Sequence, residues 1–263
     1  VADFISTGVL SLDCALGGGY PKNGIAEIYG EMGAGRLTLA LHAIAECQLQ
    51  PDGVTFMFAH GDQIAPFDAV YGMRLGVDPQ RFLHFEQRKL ELLFRCLRSA
   101  VTGSHPPDLV IVDLRRGIAR LSAEEGSELV ARLSLFLREH CSHKQRTSLL
   151  FLSDGKLQPL QFHAQQRILL QFDRVAPNDD TLVHANIVKN RLGEPYKQLS
   201  LQLTPGDGVD LIADIVRTAA YAGVLPHQNV EALCVELRRD NHAREALCRT
   251  VRSKMLFGAS VAQ

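Results

Sequence analysis

The chain has 263 residues, of which 46% are hydrophobic and 22% charged, and its formal net charge is −1. That balance fits one large globular domain or a core with a small appendage, and it excludes a mainly disordered chain. It also excludes a global basic field, so any contact with nucleic acid has to come from a local basic patch. Taken in chain order, Ile5 to Ala15 alternates small, polar and apolar residues, with Ser6 or Asp13 placed to cap a short helix. Gly17-Gly18-Gly19-Tyr20-Pro21 reads as a turn. Gly24 to Gly30 reads as a strand running into a glycine-rich loop, and Leu37 to Gln48 as the helix that follows.

Val54 to Ala59 then reads as a buried strand and Pro66 to Leu75 as a helix, closed by Gly76-Val77-Asp78-Pro79. Phe82 to Phe85 is a short strand, Leu90 to Thr102 a helix, and Leu109 to Asp113 an apolar strand ending in a carboxylate. Glu124 to His140 is an amphipathic helix, with Leu129, Leu133, Phe136 and Leu137 at helical spacing. Ser148 to Leu152 is another buried strand. This alternation predicts an α/β fold with a mostly parallel, doubly wound sheet. After Gly155, strands at 167–172, 184–190 and 198–203 joined by Gly, Pro and Asp turns predict an antiparallel extension. From Asp210 the chain turns helical, over 211–222, 230–239 and 243–256. These segments divide the chain into a core, 1–222, and a small C-terminal helical segment, 223–263.

Six cysteines, Cys14, Cys47, Cys96, Cys141, Cys234 and Cys248, stand without C-x-x-C spacing. They point to reduced thiols rather than a disulfide frame or a zinc site. No apolar run approaches a membrane span and no signal peptide is recognisable, so a cytoplasmic protein without a membrane partner is expected. The first residue is Val1 rather than Met, which leaves the position of the natural N-terminus open.

The chemistry concentrates in Gly30-Glu31-Met32-Gly33-Ala34-Gly35-Arg36-Leu37. Strand, glycine loop and helix are the context of a phosphate-binding loop, G-x-x-x-x-G-K-[ST]. Both glycines stand at the right spacing, but Arg36 takes the lysine position and Leu37 the Ser/Thr position. The glycines let backbone N–H groups face an anion, whereas the hydroxyl that would ligate magnesium is lost. Thr38 offers a hydroxyl one residue on, but one step along a helix rotates it by about 100°. Asp113, at the end of an apolar strand, stands where phosphate-loop enzymes place a magnesium-linked carboxylate.

Two long segments carry a family resemblance. Ile5 to Pro21, continued by Ile25 to Gly30, is similar to the entry segment of bacterial RecA recombinases. Ile187-Val188-Lys189-Asn190-Arg191-Leu192-Gly193-Glu194-Pro195-Tyr196-Lys197-Gln198 resembles a second RecA signature, and Val235 to Leu256 the end of the RecA C-terminal region. The resemblance implies a RecA-like core that takes ATP or ADP on Gly30 to Thr38, with magnesium held through Asp113 and weakened by Leu37. Tyr71 matches a tyrosine that stacks on adenine. Lys189 and Arg191 match two cations that reach the nucleotide of a neighbouring subunit.

The departures matter as much. No glutamate follows the second strand at His60-Gly61-Asp62-Gln63, where the family has its water-activating residue, and Asp62 is the nearest carboxylate. The polar sensor falls on Ser153 or Asp154. The two loops that hold single-stranded DNA in the family look trimmed. In the first, Arg115, Arg116 and Arg120 remain as candidate phosphate contacts, and in the second Lys156, His163 and Arg167 do. Solvated surface charge is the alternative reading of both sets. The filament-forming helix expected before Ile5 is not among these residues, which bears on self-association.

The leading expectation is therefore a divergent RecA-like protein of DNA repair or recombination, bacterial and cytoplasmic or nucleoid-associated. Its ATP hydrolysis is weak or lost, and it binds DNA, a recombinase or a lesion-bypass partner. An active DNA-dependent ATPase that forms filaments and exchanges strands is one alternative. A protein-interaction module that uses the fold without nucleotide is the other.

Overall fold

A computed structural model describes residues 4–61, 68–115, 121–142, 147–173, 181–204, 206–225 and 230–257. A ribbon of β1 (Phe4–Ile5) and β2 (Tyr20–Pro21) brackets α1 (Leu10–Leu16). The chain continues through β3 (Ile25–Gly30), α2 (Arg36–Gln48), β4 (Thr55–His60), α3 (Ala69–Arg74), β5 (Phe82–Gln87) and α4 (Leu90–Thr102). Next come β6 (Leu109–Asp113), α5 (Ala123–Ser142), β7 (Ser148–Leu152), α6 (Gln158–His163) and β8 (Gln166–Phe172). β9 (Thr181–Asn190), β10 (Gln198–Thr204) and β11 (Gly208–Val209) precede α7 (Leu211–Tyr221), α8 (Val230–Arg239) and α9 (Asn241–Phe257).

The main sheet has the order β11-β10-β9-β8-β3-β7-β6-β4-β5. From β8 to β5 every pairing is parallel, and from β8 through β9 and β10 to β11 every pairing is antiparallel. The α/β fold read from the sequence, a mostly parallel sheet with an antiparallel extension and terminal helices, is the fold adopted.

The central strands β6 and β7 are buried at every position, as parallel strands covered on both faces are. The period of two divides them between layers. Leu109 and Ile111 face Leu39, Ala43 and Ile44 of α2, while Val110 and Val112 face Leu93 and Leu97 of α4 and Phe136 of α5. A third cluster joins Leu10 and Cys14 of α1 to Val216 and Ala219 of α7, Leu237 of α8 and Val251 of α9. All six cysteines are free thiols. Among the described residues no helix is long and apolar enough to cross a membrane.

Several local expectations change. Neither Ser6 nor Asp13 caps α1: the cap position is Val9, with no side-chain bond. Asp13 instead lies buried inside the helix and accepts from the Thr7 N–H at 2.7 Å and the Ser6 hydroxyl at 2.7 Å. Arg252 of α9 donates to the same carboxylate at 3.0 Å. Tyr20–Pro21, read as turn, pairs with β1. The helix read over 66–75 is described only as α3, because 62–67 lie outside the described residues. The segment read as a trimmed second loop contains α6, which starts on Pro159 in its first turn and buries Leu157, Leu160 and Ala164 against the α5 layer.

One buried histidine sets an acid limit on the fold. His42 of α2 accepts the Val209 N–H through Nε2 at 3.2 Å, which fixes it as the neutral ring. Burial pushes its pKa from 6.5 down to about 4. Between those values the unfolded chain binds more protons than the folded one, so this contribution is whole above pH 6.5 and is lost as pH falls toward 4. The full loss is roughly 3 kcal/mol. A His42→Gln variant should show a flatter pH dependence between about pH 7 and about pH 5, measured as the shift in urea midpoint.

Candidate nucleotide site

The carboxyl ends of β3, β7 and β6 lie side by side, and the crevice beyond such ends is where open α/β sheets take ligands. Gly30 ends β3 with φ 133°, and a Cβ there would meet the Leu170 carbonyl oxygen at 2.0 Å. The loop is pinned to β8 at this point, because the Glu31 N–H donates to the same carbonyl at 3.1 Å. Within the loop the Ala34 N–H donates to Glu31 and the Gly35 N–H to Gly33. Gly35, at φ 84°, turns the chain into α2, whose first residue is Arg36. The positive end of this 13-residue helix therefore faces the loop.

Arg36 is buried to 8% exposure, and its Nη1 donates to the Ser153 carbonyl at 2.5 Å, across the end of β7. Burial and then the Arg115 charge push its pKa below the usual guanidinium range, while Asp113 and Asp154 oppose the shift. Asp113 is also buried. Its Oδ1 accepts from Arg115 Nε at 2.8 Å and from the Arg115 N–H at 3.0 Å, and its Oδ2 from Arg115 Nη2 at 2.6 Å. Arg115 stands in the turn just past β6, and the Asx-type bond from its N–H to Asp113 folds the chain so that the guanidinium closes on the carboxylate as a fork.

Beside the loop is a cavity of about 400 Å³ lined by Gly33, Thr38, Asp68, Tyr71, Arg74 and Gly208, among others. Tyr71 reaches it from α3, whose cap is Asp68 accepting the Tyr71 N–H at 3.0 Å. The Tyr71 hydroxyl and the Thr38 hydroxyl lie 2.8 Å apart, in hydrogen-bond contact. An aromatic ring and a carboxylate at the mouth of a cavity next to a phosphate-type loop suit a flat, polar-edged base.

Magnesium, which the resemblance implies, wants six oxygens in near-octahedral array. Leu37 supplies none, the Thr38 hydroxyl is engaged by Tyr71, and both Asp113 oxygens are held by Arg115. No group of three or more His, Cys, Asp or Glu placed to hold a metal occurs among the described residues. The donor set at this loop does not fit the ion.

The remaining candidates lie elsewhere. Lys189 Nζ donates to the Gln161 and Phe162 carbonyls at 2.8 and 3.0 Å, and Arg191 Nη2 to Phe162 at 3.1 Å, so both cover the last turn of α6. His163 ends that helix, and burial followed by Arg138, Arg191 and Lys189 pushes its pKa down. These four form a basic group. Lys156 is exposed in the turn before α6. Arg167 is turned inward: its Nε bonds Glu27, and its guanidinium sits 4.6 Å over the Tyr29 ring. The Ser153 hydroxyl also faces Glu27 rather than the loop. Asp62, Arg116 and Arg120 lie outside the described residues.

Three features escaped the sequence reading. Asp68 and the cavity behind Tyr71 need the return of β10 and β11, which no local pattern announces. The Asp113–Arg115 fork was signalled by the i, i+2 spacing alone. Glu27, a charge within the apolar run of β3, signalled a buried cation partner without naming it.

Residues 1–128 match the family described as the RecA N-terminal domain. Protein RecA of Helicobacter pylori (strain G27) is 32% identical over 246 residues, spanning 81% of this chain and 69% of that protein. Protein RecA of Psychrobacter arcticus is 28% identical over 256 residues, or 85% and 70% of the two chains. Protein RecA of Acidiphilium cryptum is 28% identical over an alignment of 294 positions, gaps included, spanning 99% and 83% of the two chains.

Proposed function

This chain belongs to the RecA family, and on that premise we propose an accessory protein of DNA repair or recombination. It binds ATP or ADP, hydrolyses it weakly or not at all, and acts on DNA or on a repair partner. The observation that carries this reading is a contrast between the cavity and the strand end. The cavity beside Tyr71 is open, whereas Asp113 is closed by Arg115. Phosphoryl transfer depends on positioning and on neutralising charge around the transferred group, so losing the loop lysine, the hydroxyl and the family's glutamate weakens turnover more than binding.

In this reading Gly30 to Thr38 cradle the phosphates and Tyr71 packs on the base. Residues 1–222 form the nucleotide core and 223–263 an appended segment, whose helices α8 and α9 pack on α1 and α7. Lys189 and Arg191, with His163 and Lys156, make the surface offered to single-stranded DNA or to a neighbouring subunit's nucleotide. Arg167 is left out of that surface because its charge is spent on Glu27.

Measuring labelled-ATP affinity, turnover and single-stranded DNA binding on one preparation tests the proposal. We expect nucleotide binding, turnover that DNA does not stimulate, and DNA binding that falls steeply with added salt. DNA-stimulated turnover would instead favour the active filament-forming ATPase, and binding of neither ligand at low salt would leave only the interaction module. The double change Arg36→Lys, Leu37→Thr should not restore turnover, because Arg115 still closes Asp113. A gain of turnover would show the rest of the machinery to be intact.

A further inference from the structure

We propose that the nucleotide of this site is bound without magnesium, with the guanidinium groups of Arg36 and Arg115 standing where the metal would. The inference rests on the nucleotide-binding reading above and adds the ionic form of the ligand.

Three observations carry it. Among the described residues, the oxygens that the resemblance assigns to the ion are absent or engaged: Leu37 has none, Thr38 is bonded to Tyr71, and Asp113 is gripped through both oxygens. A cation already stands on the metal-linked carboxylate, within the fork geometry that fits carboxylate and phosphate alike. The loop lysine has become a second guanidinium, whose Nη1 reaches the Ser153 carbonyl at the end of β7, the strand next to the one that carries Asp113. Arg36 beside an oriented helix N-terminus supplies positive charge, and Arg115, by neutralising Asp113, removes the carboxylate's repulsion of a triphosphate.

The ordinary alternative is that Arg115 is only an ion-pair partner that gives way to magnesium when nucleotide arrives. The two ideas differ in one measurement. The chain contains no tryptophan, so titration with N-methylanthraniloyl-ATP reads the label without interference from intrinsic indole emission. With the full chain, affinities in magnesium and in EDTA should agree within about threefold. Arg115→Ala frees both Asp113 oxygens, and in that variant affinity in EDTA should fall at least about tenfold below that in magnesium.

Wild-type binding that weakens about tenfold or more in EDTA overturns the proposal while leaving nucleotide binding intact. So does an Arg115→Ala variant that binds as wild type in both buffers. Absence of binding in either buffer overturns the proposal together with the nucleotide reading, and single-stranded DNA affinity on the same preparation reports separately on the repair reading. Should Arg115→Ala fail to fold, the wild-type comparison decides alone.

Discussion

Arg167→Ala is expected to lose about 3–5 kcal/mol of folding stability, seen as a lower urea midpoint. Glu27 on β3 and Arg167 on β8 are register partners in adjacent parallel strands. The Glu27 side chain is fully buried and that of Arg167 is 12% exposed. One carboxylate oxygen accepts Arg167 Nε and the other accepts the Ser153 hydroxyl. The same guanidinium packs on the Tyr29 ring and donates to the Gly155 carbonyl at 3.3 Å. Removing it leaves a buried carboxylate with one hydroxyl for company, the costly half of a broken pair. Replacing both partners at once, as Glu27→Leu with Arg167→Met, takes away the charge as well and should recover most of the loss. A single variant that loses less than about 1 kcal/mol would mean that water reaches Glu27 and that the pair is not sealed.

Gly30→Ala should be comparably damaging, by about 3 kcal/mol or more, and should take nucleotide affinity with it. The backbone at Gly30 sits at φ 133°, a conformation that a side chain strains, and the added carbon would strike the Leu170 oxygen at 2.0 Å and its nitrogen at 2.8 Å. Neither is the end of a flexible side chain, so relief requires moving β8 away from β3. That movement breaks the Glu31 to Leu170 bond that anchors the loop. Gly33→Ala supplies the control. It also has a positive φ, 89°, but its new carbon would meet only the Phe172 ring, at 3.2 Å. Its cost should stay near about 1 kcal/mol. Thermal or urea unfolding of the two variants settles the order, and a reversed order would show that loop conformation, not the β3–β8 contact, governs this corner.

The fold was legible because its signals are long. The apolar runs at 109–113 and 148–152 announce strands covered on both faces, and the heptad-like spacing of Leu129, Leu133 and Phe136 announces a helix on one of them. Short elements were not. α6 has six residues, with polar Gln158, Gln161 and His163 on its surface, and its stability comes from Leu157 and Leu160 packing on α5, a contact invisible to local pattern. The β1–β2 ribbon rests on two residue pairs, too few to show a period.

The site followed the same rule. Glycine spacing located the loop, and the family resemblance singled out Tyr71. What the cations do could not be read, because that depends on register. Arg167 looks like a surface charge until β8 is laid beside β3 with Glu27 opposite. Arg115 looked like one of three loop arginines, yet it lies two residues from Asp113 and folds back on it.

The bond between Asp13 and Arg252 has a consequence for biosynthesis. The two residues are 239 positions apart, so the cation that compensates the buried carboxylate is made long after the carboxylate itself. On the ribosome the entry segment has only hydroxyl and amide donors from Ser6 and Thr7 to offer Asp13, and burial alone pushes that carboxyl toward its protonated form. Helix α1 therefore completes its electrostatics only when the helix at 241–257 has emerged. The entry segment is translated long before its partner helix and is among the last parts to be secured.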